Sequence, residues 1–183
     1  MKKIAEEVNE HGHSKSCKKG NPKCRWKFPR FPLVDTVFVD KKREIPEEEK
    51  LSEEQRNTIL ERVKCVLVED TDGKEKKSKT CNKIMDKYPK GKASIGKRID
   101  EVLKIASKDS GENITYDEYK RAVEQQPEKG CKIYLKRDIN EIFINNYNPE
   151  WLEAWDSNID ISLVSDFHGA ITYITDYWTK DSS

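Results

Sequence analysis

Ser52-Glu-Glu-Gln-Arg-Asn-Thr-Ile-Leu-Glu-Arg-Val-Lys-Cys-Val-Leu67 is the stretch on which the fold turns. Ser52-Glu-Glu-Gln55 is a capping-box pattern, in which the serine hydroxyl and the glutamine side chain satisfy each other's backbone donors at a helix start. Beyond it, Ile59, Leu60, Val63, Val66 and Leu67 recur at helical spacing and share one face. A second capping box, Thr115-Tyr-Asp-Glu118, opens another helix, with Ile114 and Tyr119 placed to pair as a hydrophobic staple. Between these two helices, Ile95, Ile99, Val102, Leu103 and Ala106 mark a third.

Strands flank this helical middle. Leu33-Val-Asp-Thr-Val-Phe-Val39 is β-branched, and Lys132-Ile-Tyr-Leu-Lys-Arg137 alternates. Glu141 to Asn146 reads as a further strand or a short turn, and Ile159 to Val164 as a strand. Asn148 caps a short helix with Pro149 in its first position, carrying Trp151, Leu152 and Trp155. Residues 166–180 form the last helix. The expected class is α+β: a small mixed domain with a few short strands and four to five helices. Asp70 to Lys92, rich in Lys, Asp, Gly and Ser, reads as a mobile loop. Three stretches follow: a basic Cys/His segment, 1–39; a charged helical insertion, 40–131; and a tail, 132–183.

Composition bounds the function. The chain has 183 residues, 34% apolar and 38% charged, below the usual ~45–50% apolar share, so its core is modest. The net charge of +1 hides a division. Residues 11–32 carry seven Lys or Arg and no acid, whereas residues 138–183 carry nine acids against Lys180 alone. No apolar run approaches the ~20 residues that span a bilayer, and no membrane partner is expected. Lys2-Lys3-Ile-Ala-Glu-Glu is not a secretory leader. Five cysteines at irregular spacing suit reduced thiols or metal ligands better than a disulfide framework. A nuclear or cytoplasmic protein is the expectation.

Two regions bear chemistry. His11-x-His13-x3-Cys17-x6-Cys24 offers four zinc-capable ligands in fourteen residues. A structural zinc is one reading; surface histidines and reduced thiols that bind nothing are the other. Lys15, Lys18, Lys19, Lys23, Arg25, Lys27 and Arg30 alternate there with Trp26, Phe28 and Phe31. Cations neutralise phosphates while aromatics stack on unpaired bases, so nucleic-acid binding is expected at Lys18, Lys19, Lys23, Arg25, Trp26, Lys27, Phe28 and Arg30. In the last helix, Phe167, Ala170, Ile171, Ile174 and Trp178 form a core stripe, with Tyr173 and Tyr177 one turn apart on its flank. The tyrosines either widen that stripe or serve as a pair of nucleophiles, with Lys180 beside them on phosphate.

Ile-Asn-Asn-Tyr147-Asn-Pro149-Glu-Trp-Leu, then Trp-Asp-Ser-Asn158-Ile-Asp160, then Tyr173-Ile-Thr-Asp-Tyr177-Trp-Thr-Lys180 resembles the Helitron-type rolling-circle transposase. The family's Rep nuclease carries a Tyr-Asn-Pro stretch followed by a helix with two tyrosines and a lysine. His13-Ser-x-Ser-Cys17 and Cys24-Arg-Trp-Lys-Phe-Pro29 resemble the same family's Cys segment. The likeness covers about the first 32 and last 50 residues, in the family's order.

The resemblance implies the C-terminal part of a two-tyrosine nuclease that nicks and joins single-stranded DNA through a 5′-phosphotyrosine. Tyr173 and Tyr177 would be the nucleophiles, and Lys180 their catalytic neighbour. Mg or Mn would serve the chemistry, with ligands mostly outside this chain. The partners implied are single-stranded DNA and the remainder of a Rep–helicase polyprotein. The family's two-histidine metal strand and helicase are not recognisable here, so the chain is expected to be inactive alone. A non-catalytic zinc-binding module for nucleic acid or protein is the alternative. Gly91-Lys-Ala-Ser-Ile-Gly96-Lys97-Arg98 nearly spells a nucleotide-binding loop, but Arg98 stands where a magnesium-binding hydroxyl belongs.

Overall fold

A computed structural model describes residues 8–13, 24, 27–40, 43–71, 74–108, 112–126, 131–155, 157, 161, 171, 172, 174 and 175. The class is α+β, with five named helices and two small antiparallel sheets among the described residues. In chain order these are β1 (Val37–Val39), α1 (Glu53–Leu67), β2 (Val68–Thr71), β3 (Lys74–Lys77), α2 (Lys79–Lys87), α3 (Ile95–Lys108), α4 (Tyr116–Glu124), β4 (Lys132–Tyr134) and α5 (Pro149–Trp155). Strands β1 and β4 pair with Val37 opposite Tyr134 and Phe38 opposite Ile133. Leu33 and Arg137 extend that pairing by exchanging both backbone hydrogen bonds at 3.0 Å. The predicted strands at 33–39 and 132–137 therefore form one ribbon, though only three residues of each keep regular pairing.

Both capping boxes form. The Ser52 hydroxyl accepts from the Gln55 N–H at the start of α1, and the Thr115 hydroxyl accepts from the Glu118 N–H at the start of α4. Ile114 and Tyr119 are both buried, as the staple requires. Helices α1, α3 and α4 pack on one another around Leu60, Val63, Val102, Leu103, Ala122 and Val123. The core continues through Cys24, Phe28 and Leu33 on one side and Ile139, Ile142 and Phe143 on the other, so residues from all three stretches join one cluster. The Tyr119 hydroxyl donates to the Pro32 carbonyl (2.8 Å), and the Tyr116 hydroxyl accepts from the Val34 N–H (3.0 Å), tying α4 to the chain entering β1.

Two expectations need correction. Residues 70–92, read as a mobile loop, contain the rest of the β2–β3 hairpin and helix α2. Ser78 caps α2, accepting from the Cys81 N–H, while its own hydroxyl donates to the Val66 carbonyl. Buried Cys81 and Ile84 then anchor the helix, so a lysine-rich exterior masks an apolar inner edge. In the last segment, Ile171 and Ile174 are helical but 45% and 53% exposed, so they are not core: no apolar face among the described residues covers them. The stretch 141–146 resolves as a turn following a short 3-10 helix (Ile139–Glu141) capped by Asp138. Asn148 Oδ1 caps α5 as expected, accepting from the Glu150 and Trp151 N–H groups. The strand expected at 159–164 lies outside the described residues apart from Ile161.

Arg98 occupies the position that spoils the nucleotide-loop pattern, and its role is structural. Its guanidinium forks onto the Asp138 carboxylate at 2.8 and 2.6 Å, fully inside the molecule, and also donates to the Tyr88 and Ala93 carbonyls. Among the described residues, no helix is long and apolar enough to cross a membrane.

Candidate metal centre

The His11 segment is held to residues 143–145 by backbone pairing. The Asn145 N–H donates to the Asn9 carbonyl (3.0 Å) and the His11 N–H to the Phe143 carbonyl (2.7 Å), with Glu10 bridged to Ile144. Successive side chains on an extended segment alternate, so His11 and His13 point to the same side. The Arg30 N–H donates to the Ile142 carbonyl (2.7 Å) and the Lys27 N–H to the Cys24 carbonyl (3.0 Å), which brings Cys24 and residues 27–30 against the same stretch.

The outcome is a cluster of three ligand atoms, from His11, His13 and Cys24, all within 4.8 Å of one another. Cys24 Sγ lies 3.4 Å from His11 Nε2. A zinc tetrahedron with bonds of ~2.0–2.3 Å spaces neighbouring N and S ligands by roughly 3.6 Å, so that edge fits a bound ion. Two imidazoles and a thiol suit a borderline-soft metal. The group could hold a metal ion.

Its surroundings favour the ligand forms. Burial, then His13 and Arg30, keep His11 below the usual histidine range, in the neutral state a metal requires. His11 stacks on Phe28 with ring centroids 4.3 Å apart, and His13 meets Phe143 edge-on at 5.8 Å. Glu75, from β3, places Oε2 3.1 Å from His13 Nε2. Carboxylates in that position commonly orient metal-bound imidazoles. Nothing local in the sequence marks Glu75, which sits in a lysine-rich run 62 residues from His13.

Of the expected ligands, His11, His13 and Cys24 come together, and Cys17 lies outside the described residues. The same is true of Tyr173, Tyr177, Lys180, Lys18, Lys19, Lys23, Arg25 and Trp26. Among the remaining residues expected to contact nucleic acid, Phe28 is buried in the core against His11, which removes it as a stacking surface. Packing takes priority there because its ring supports the metal cluster. Arg30 lies over that ring, 4.9 Å from its centroid, and Lys27 is exposed.

Arg137 likewise carries no local mark, at the end of an alternating run. It is buried, donating to the carbonyls of Glu141 and Ile144 (2.6 Å each) and to Asn146 Oδ1 (2.7 Å). Burial first, and then Arg30 nearby, bring its pKa down to about 10. Comparison with protein-family models, with curated proteins and with solved structures returns no match to this chain.

Proposed function

We propose that this chain is a metal-stapled part of a Helitron-type rolling-circle nuclease that nicks and joins single-stranded DNA. One observation carries the reading. The His11–His13–Cys24 cluster is built directly on residues 142–145, the stretch that runs into Tyr147-Asn-Pro149. The two family-like segments lie about 130 residues apart in sequence, and a shared nuclease site would need them side by side.

In this reading the ion is a structural zinc, with His11, His13 and Cys24 as ligands and Cys17 as the fourth. The ion neutralises thiolate charge and fixes the loop. Tyr173 and Tyr177 supply the nucleophilic phenols and Lys180 a phosphate contact. Mg or Mn, held mostly by ligands from elsewhere in a Rep–helicase polyprotein, polarises the scissile phosphate. A nuclear or cytoplasmic setting follows from the substrate.

The metal is tested by native mass spectrometry of the intact protein, which should carry one zinc per chain. His11→Ala and Cys24→Ser should each lower occupancy at least tenfold. The nuclease reading is tested by joining the chain to a two-histidine strand and adding Mn²⁺ with single-stranded DNA. A covalent protein–DNA adduct is expected, and it should vanish in the Tyr173→Phe/Tyr177→Phe double variant; an adduct that persists rejects both tyrosines. A second reading, a non-catalytic zinc-binding interaction module, is favoured by the metal cluster alone. It is the outcome if zinc is bound and no adduct ever forms.

A further inference from the structure

Beside the metal cluster, the Lys27–Phe31 loop and the β4 strand enclose a cleft of about 60 Å³. Lys27, Arg30, Lys132 and Arg137 line it with Tyr134, and no acidic side chain among the described residues does. A second hollow shares Leu135, Arg137 and Asn146 with the first, adds Lys136 and Tyr147, and so continues the groove toward the Tyr-Asn-Pro turn. Glu141, the one carboxylate that lines the second hollow among the described residues, is joined to Lys90 at 3.0 Å.

We infer that this groove is the binding track for the backbone of single-stranded nucleic acid, with Phe38 as a stacking platform at its edge. Four cations around one cleft give it the sign of charge that a phosphate backbone requires, with capacity for more than one phosphate. Arg137 donates to three neutral oxygens at the groove wall, and the nearby Glu141 carboxylate offsets only part of its charge because it is itself paired with Lys90. Lys27 is exposed and adopts φ +59°, a left-handed conformation that side-chain-bearing residues adopt at a cost. Phe38, on the neighbouring strand and outside the lining of both hollows, lies directly across from Ile133, shares its face of the ribbon and is 55% exposed. A base can stack on an aromatic ring only when unpaired, and this favours a single strand over a duplex.

The inference rests on the DNA-handling reading above, and the test separates the two. Fluorescence anisotropy of a labelled dT20 oligonucleotide, titrated with the full chain at several salt concentrations, reports affinity and its salt dependence. Lys27→Gln/Lys132→Gln should weaken binding about tenfold or more and reduce the log–log salt slope by about 1.4, as expected for two lost single-strand phosphate contacts. Neither residue is buried, and Arg137 is left intact because it holds the turn after it. Phe38→Ala should weaken binding about tenfold with an unchanged slope. Lys104→Gln/Lys108→Gln, the same charge change on α3 outside the groove lining, should leave both quantities unchanged.

If the wild-type chain binds dT20 and the Lys27/Lys132 variant matches it, the groove is wrong and DNA handling survives. If the wild-type chain fails to bind dT20 even at low salt, both fall. Equal affinity for a duplex, with no effect of Phe38→Ala, overturns the single-strand assignment. Complete displacement by millimolar inorganic phosphate would reduce the site to a small-anion pocket and overturn it too.

Discussion

Arg98 and Lys27 show how far a single residue's role departs from its type. Arg98 sits on an amphipathic helix where an arginine is expected in solvent, yet its guanidinium is clamped between Asp138 and two carbonyls inside the molecule. Removing one member of a buried pair strands the other, so Arg98→Met should cost about 3–5 kcal/mol of stability. Urea denaturation of Arg98→Met, Asp138→Asn and the double variant checks this: the double should cost less than the sum. Lys27 holds a conformation that glycine adopts freely. Lys27→Gly should therefore raise stability by about 1 kcal/mol while weakening binding to dT20. A thermal melt and the anisotropy titration, read on the same protein, separate these opposite effects.

At the scale of elements, legibility followed how local the signal is. Helices α1 and α4 begin where their capping boxes place them, because a cap is a bargain between residues three apart and needs no distant partner. Thr115→Ala should accordingly lower stability by about 1 kcal/mol. Ser78→Ala should cost more than the Thr115 change, since it also leaves the buried Val66 carbonyl without the Ser78 donor. Chemical denaturation of the two variants side by side tests that order. The hairpin and α2 were illegible for the opposite reason. Their lysines advertise solvent, and that outweighed Asp72-Gly73, a dipeptide that hairpin turns favour, and the Cys81–Ile84 pair that marks a buried edge. Charge density reports which side of an element is wet, and a two-turn helix needs only two or three apolar residues on the other.

For the whole molecule, the relevant property is acid sensitivity of the joint between residues 9–13 and residues 142–145. His11 has its pKa depressed in the folded chain by burial and by the cations around it. Above pH ~6.5 it is neutral in both folded and unfolded states, and its contribution is complete. As the pH falls below that value the unfolded chain takes up the proton first, so folding stability declines with acidification. Metal affinity falls in the same direction, because protons compete for the imidazoles. The melting temperature should therefore drop from pH 7.5 to pH 5.5. The drop should be larger for zinc-loaded protein than for chelator-treated protein, since only the former has metal to lose.

What the sequence determined by itself was local and chemical: the α+β class, the caps of α1 and α4, the asymmetry of charge, and His11, His13 and Cys24 as metal-capable groups. Those follow from periodicity, hydrogen-bonding side chains at short spacing and ligand chemistry. Only the tertiary structure decided which groups meet. It brought Glu75 to His13, buried Phe28 under His11, and set Lys27 and Arg30 facing Lys132 and Arg137 from about a hundred residues away. The physical reason is that such pairings are fixed by burying one shared core and by backbone bonds such as Asn145 to Asn9, neither of which leaves a mark at short range in the chain.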